Sequence, residues 1–151
     1  MLSLEDKTVL VTGASSGIGR AIALALAGQG APLLLSERDH ARLEAAEASR
    51  GGRRVTTCRA DLSDEADVRR LAHRCAEGDA AVDILIHSAG RLSQGAVEAA
   101  SAEKLDAQYQ TNVRCPFVLT QALLPSVRAQ RGQIMFDKST VSMAARAEIS
   151  Q

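Results

Sequence analysis

Residues Val9 to Ile22 read V-L-V-T-G-A-S-S-G-I-G-R-A-I, an apolar run that passes through three glycines straight into a helical pattern. Lys7 to Thr12 has the character of a strand, and Ile18, Ile22, Ala25 and Leu26 recur at helical spacing. A strand that enters a helix through such a loop is built to hold a phosphate. Gly13, Gly17 and Gly19 stand where a side chain would block the tight turn or the approach of a pyrophosphate to the backbone. The helix that starts near Gly17 directs its unpaired N–H groups and the positive end of its dipole at the anion. The spacing Gly13-x-x-x-Gly17-x-Gly19 is longer by one residue than the G-x-G-x-x-G fingerprint and lacks the G-K-[S/T] ending of an ATP-binding loop, which argues against nucleoside triphosphate hydrolysis.

Beyond the loop, short apolar runs alternate with longer amphipathic stretches, the pattern of a parallel sheet with helices on its faces. The strands expected are Lys7 to Thr12, Pro32 to Ser36, Arg54 to Ala60, Asp83 to His87 and Gln133 to Phe136. Helices are expected near Ile18 to Gln29, His40 to Ser49, Glu65 to Glu77 and Ala102 to Ala129, the last bending near Asn112 to Pro116. Gly28, Gly30, Gly51 and Gly52 fall at or just after helix ends. Ser63 and Asp64 are placed to cap the helix that begins at Glu65. A chain of 151 residues, 46% hydrophobic and without a linker or repeat, reads as one domain over 1–151.

Eighteen basic and eighteen acidic residues balance, so no excess of charge invites nucleic acid or an anionic membrane. Tyr109, Phe117 and Phe136 are the only aromatic residues, too few for base stacking. Cys58, Cys75 and Cys115 are scattered and odd in number, which suits reduced thiols better than disulfides or a zinc site. His40, His73 and His87 lack ligand spacing, and no metal is expected. With no leader-like segment at Met1 to Asp6 and no run long enough to span a bilayer, the expected location is cytoplasmic.

The segment T-G-A-S-S-G-I-G resembles the cofactor loop of the short-chain dehydrogenases/reductases. The resemblance implies a Rossmann-like doubly wound α/β sheet in the order 3-2-1-4-5, an NAD or NADP cofactor, and hydride transfer between nicotinamide and a carbonyl or secondary alcohol. In the loop, Gly13, Ser15, Gly17, Ile18 and Gly19 fall at cofactor-binding positions. At the end of the second strand, Glu37 is placed to accept the ribose hydroxyls of NAD, whereas Arg38 next to it suits the 2′-phosphate of NADP. A carboxylate repels that phosphate, which tilts the expectation toward NAD. The C-R-A-D-L-S-D segment is similar to the family's adenine-contacting element, giving Asp61 and Leu62, although Asp61 also reads as a helix cap.

His87-Ser88-Ala89-Gly90 resembles the family's N-N-A-G element with both asparagines replaced. Ser88, Ala89 and Gly90 then line the cofactor, and His87 serves structure provided it is buried, neutral and partnered. Tyr109-Gln110-Thr111-Asn112-Val113 is similar to the segment that supplies the family's active-site asparagine, here Asn112; Tyr109, upstream of it, reads as a helix-face residue. Ser139, in F-D-K-S-T, corresponds to the catalytic serine. Asp137 and Lys138 depart from the apolar or small residues usual there, a charged pair costly to bury at the end of a central strand.

The family's Tyr-x-x-x-Lys follows the serine by about a dozen residues, at or just past Gln151. The resemblance thus extends over the whole chain but only over the front of the family's fold, and the chain is expected to be a truncated module, inactive as it stands. Without an outer neighbour, the fifth strand is expected to be an exposed edge. The competing account is a non-catalytic form that binds cofactor or pairs with a copy or a full-length relative through the helix of residues 102–129.

Overall fold

The computed structural model describes residues 4–39, 41, 54–77 and 81–137. Five strands form one parallel sheet: β1 (Val9–Thr12), β2 (Leu33–Glu37), β3 (Val55–Arg59), β4 (Ile84–His87) and β5 (Gln133–Phe136), in the order β3-β2-β1-β4-β5. That is the doubly wound arrangement expected from the sequence. The helices described are α1 (Gly17–Gly28), α2 (Glu65–Glu77), α3 (Ala102–Tyr109) and α4 (Cys115–Ala129). The helix expected over His40 to Ser49, and Gly51 and Gly52 after it, lie outside the described residues.

Alternation along each strand sorts the side chains to two faces. Val9, Val11, Leu33, Leu35 and Ile86 join Ala23 and Ala27 of α1 in one core, while Leu10 and Leu85 join Val68, Leu71 and Cys75 of α2 and Cys115, Leu119 and Leu123 of α4 in the other. Small residues on the buried face of α1 let its backbone come close to the sheet. On α2 the buried positions Val68, Leu71, Ala72 and Cys75 follow helical spacing. Asp64 caps this helix, its Oδ1 accepting the Ala66 and Asp67 amides at 2.7 and 3.4 Å. All three thiols are buried and unpaired, and burial pushes Cys75 and Cys115 up to about 12.

Strand limits differ slightly from expectation. β1 begins at Val9 because Lys7 and Thr8 turn to Asp83: Lys7 Nζ donates to Oδ1 at 2.8 Å and the Thr8 amide to Oδ2 at 3.0 Å. Between α3 and α4 the chain does not break. Gln110–Arg114 form a π-helical turn, in which the Cys115 amide donates to the Gln110 carbonyl. Pro116 offers no N–H to the carbonyl of Asn112 four residues earlier, and its ring would press on that carbonyl in an α-helix; widening the turn relieves both.

The strand register aligns the carboxyl ends of the sheet. Thr12 pairs with Ser36 on one side and His87 on the other, and His87 with Phe136. The carboxyl ends of β1, β2, β4 and β5 therefore lie side by side, and the strand order reverses between β1 and β4.

Candidate functional site

The glycine loop leaves β1 at this reversal point, where open parallel sheets bind ligands. Its three glycines do different work. A Cβ on Gly13, which has φ +67°, would lie 2.7 Å from Ala89 Cα, and one on Gly19 would lie 2.4 Å from the Gly13 carbonyl oxygen. Both are therefore needed to press loop, β4 and α1 together. Gly17, at φ +51°, has open space beside its Cα instead. Ser16 stands at the N-cap of α1 without a side-chain cap bond, so its hydroxyl does not cover the amides of the first turn. Bare backbone, a left-handed glycine and a helix N-terminus over open space suit a phosphate pair. Ile18 is 61% exposed at the same end of the helix.

Toward β2 and β3, Ser15 Oγ donates to Glu37 Oε2 and the Arg38 amide donates to Oε1 at 2.8 Å. The carboxylate is thereby fixed beside the glycine loop. Arg38 is exposed and its carbonyl accepts from Arg59 Nε at 3.4 Å. Asp61 accepts from the Ser63 hydroxyl at 2.6 Å and the Ser63 amide at 2.9 Å, both at Oδ1. The Ser63 hydroxyl, with the Ser63 amide and the positive charges of Arg38 and Arg91, holds its carboxyl below the ordinary range. The cap of α2 is Asp64, so Asp61 is not its N-cap; it organises the turn ahead of it. Leu62 buries its side chain in the core with α2.

At the end of β4, Thr12 Oγ1 accepts the Ser88 and Ala89 amides, each at 3.2 Å, and so clamps this loop to β1. His87 is buried; its Nε2 shares a hydrogen bond with Thr120 Oγ1 at 3.1 Å, and its ring stacks on Phe136 at 4.9 Å. Nδ1 is buried without a partner, and burial lowers the ring's pKa to about 4. His87 thus meets the condition set by the sequence: buried, neutral and bonded, tying α4 to the sheet.

Asn112 sits in the π turn and is clasped by one residue: its Oδ1 accepts the Arg91 amide and its Nδ2 donates to the Arg91 carbonyl, both at 2.8 Å. The clasp holds the chain after Gly90 against the π turn, and Gly90 lies under the Asn112 side chain. Asp137 is exposed rather than buried, so the expected cost of charge at a strand end does not arise for it. β5 is the edge of the described sheet, and Asp137 Oδ2 accepts from Ser88 Oγ at 2.9 Å while its amide donates to the His87 carbonyl. Lys138 and Ser139 lie outside the described residues. Among the described residues no cluster of His, Cys, Asp and Glu could hold a metal ion, and no helix is long and apolar enough to cross a membrane.

Three of these features escaped the sequence reading: the Thr12 clamp, the Ser15 to Glu37 bond and the Ser88 to Asp137 bond. Each joins residues far apart in the chain, and only the row of strand ends brings them together.

The family model for short chain dehydrogenase matches residues 7–151. The chain belongs to the short-chain dehydrogenase family. It is 40% identical over 147 residues to a sepiapterin reductase of Chlorobaculum tepidum, covering 91% of this chain and 60% of that protein. It is 35% identical over 151 residues to a D-beta-hydroxybutyrate dehydrogenase of Cupriavidus necator, covering 97% of this chain and 58% of that one. Among solved structures, a metagenomic short-chain oxidoreductase in complex with NADP matches with a TM-score of 0.90 at 30% identity, covering 98% of this chain and 69% of that one. A short-chain dehydrogenase from Sphingobium yanoikuyae in complex with NADPH matches at 0.85 and 34%, covering 91% and 56%. This short-chain dehydrogenase chain spans between 34% and 62% of the length of the curated relatives it is compared with.

Proposed function

We propose that residues 1–151 are the cofactor-binding module of an NAD(P)-dependent oxidoreductase that transfers hydride between nicotinamide and a carbonyl or secondary alcohol. The observation that carries this reading is the open, bare backbone of Gly17 at the start of α1, at the point where the sheet order reverses. Gly17, Ile18 and Gly19 would meet the pyrophosphate through their amides, with Ser15 beside them. Glu37 would take the ribose hydroxyls, Asp61 the adenine amino group through its second oxygen, and the backbone at Leu62 the adenine edge. Ser88, Ala89 and Gly90 would line the other half of the cleft.

When bound, the nicotinamide supplies the hydride acceptor or donor; the chain's own residues hold and orient. Asn112 would steady the loop after β4 through Arg91, and Ser139 would bond the substrate oxygen. Proton transfer to that oxygen needs an acid of suitable pKa. The only tyrosine of these residues, Tyr109, is exposed on α3. We therefore expect these 151 residues to bind cofactor and to turn over a carbonyl substrate slowly or not at all. Glu37, fixed by Ser15, supports NAD over NADP, because a fixed carboxylate repels a 2′-phosphate.

A second reading, a non-catalytic module that pairs with a copy or a full-length relative, is favoured by one surface. Leu105, Tyr109, Val113 and Phe117, four residues apart along α3, the π turn and α4, are each at least half exposed. Unpaired buried thiols fit a reducing, cytoplasmic setting. Calorimetric titration with NADH and NADPH, followed by an assay over a broad carbonyl panel, tests the first reading. Tighter binding of NADH with little turnover is expected. Robust turnover would refute the argument from the missing acid, and binding of neither would refute the cofactor assignment.

A further inference from the structure

Ser88 is bonded to Asp137, a carboxylate that the roles above leave unused. Resting on the cofactor reading, the pyrophosphate sits at α1 and the adenosine half lies toward β2 and β3, where Glu37 and Asp61 stand. The order β3-β2-β1-β4-β5 then puts the nicotinamide half over the carboxyl ends of β4 and β5. Asp137 follows β5 directly. Its amide donates to the His87 carbonyl at 2.9 Å, which brings it level with Ser88. Ser88 Oγ donates to Asp137 Oδ2 at 2.9 Å and lies 3.1 Å from where a Cβ on Gly19 would stand. The backbone of Ser88 is in turn clamped by Thr12. One fixed hydroxyl therefore separates the Asp137 carboxylate from the glycine loop, on the nicotinamide side of the cleft.

The nicotinamide ring is cationic when oxidised and neutral when reduced, whereas the phosphates carry the same charge in both forms. A carboxylate at this place repels the phosphates equally in both and attracts only the oxidised ring. We propose that Asp137, positioned by Ser88, makes the cleft discriminate between redox states of the dinucleotide and bind the oxidised form preferentially. The carboxylate is a specificity determinant and Ser88 its positioning residue.

The test is the ratio of dissociation constants for oxidised and reduced cofactor, measured by calorimetry on the wild-type chain, Asp137→Asn and Ser88→Ala, with folding checked by circular dichroism. Asp137→Asn is expected to shift the ratio toward the reduced form on the order of five-fold, the worth of one charge pair at about 4 Å in water. Ser88→Ala shifts it the same way by less. In the wild type, raising salt from about 0.05 to about 0.5 M shrinks the preference for the oxidised form, and in Asp137→Asn it does not. An unchanged ratio in Asp137→Asn, with both forms still bound, overturns the assignment while leaving the cofactor reading intact. A folded wild type that binds neither form overturns both.

Discussion

Lowering the pH from 7 to 5 should destabilise this protein through His87. The ring is 3% exposed, Nε2 is spoken for by Thr120, and Nδ1 faces no acceptor, so a second ring proton would be buried without a partner. Burial accordingly lowers the pKa to about 4, against an ordinary value near 6.5. Above about pH 6.5 the imidazole is neutral in both folded and unfolded chains and stability does not depend on it. Below that, the unfolded chain takes up a proton that the native state refuses, so stability falls with pH until about pH 4, where the native ring titrates too. Each pH unit in this window costs about 1.4 kcal/mol, giving about 2 kcal/mol lost by pH 5 and about 3 kcal/mol by pH 4. Asp61 and Glu65, held low by the Ser63 hydroxyl and by Arg69 and Arg114, lose their pairing only at lower pH. Urea unfolding followed by circular dichroism at pH 7 and pH 5, on the wild type and His87→Asn, isolates the effect, because each variant serves as its own reference. The wild type should lose about 2 kcal/mol more than His87→Asn over this interval. Equal losses would refute the claim that burial of an unpartnered Nδ1 sets the acid sensitivity.

Other substitutions probe the frame around the site. Gly132→Ala places a Cβ 1.7 Å from the Asp83 carbonyl oxygen, so β5 must leave its register with β4; a loss of at least about 3 kcal/mol in thermal unfolding is expected. Asp83→Ala strands the Thr8 amide and should cost about 1–3 kcal/mol, with Asp83→Asn milder because one acceptor survives. Glu37→Gln removes the fixed charge beside the loop, and the ratio of NADPH to NADH affinity should rise by about ten-fold; no change would separate Glu37 from cofactor choice.

Much of the fold was legible because a parallel sheet buried on both faces writes its strands as short apolar runs. Leu33-Leu34-Leu35 and Ile84-Leu85-Ile86 carry no polar residue to confuse the period. Glu65–Glu77 matched to the residue, since Asp64 and the buried spacing announce both its start and its face. Pro116 marked the disturbance before α4, but the missing N–H alone does not decide between a break and the widened turn that forms at Gln110–Arg114. The glycine loop was legible as a loop; that Gly13 and Gly19 serve packing and Gly17 stays open emerges only when Ala89 and the Gly13 carbonyl are in place. The exposure of Asp137 and its bond to Ser88 depend on β4 and β5 ending level, a juxtaposition of residues 49 apart that no local pattern announces.

The central claim is that the amides at the start of α1 receive a dinucleotide's paired phosphates. A crystal structure of the 151-residue chain grown with millimolar NADH tests it most directly. The pyrophosphate should lie over Gly17, within hydrogen-bond reach of the Ile18 and Gly19 amides, with the adenosine ribose at Glu37. A folded chain with that loop empty, or with cofactor bound elsewhere, would contradict it.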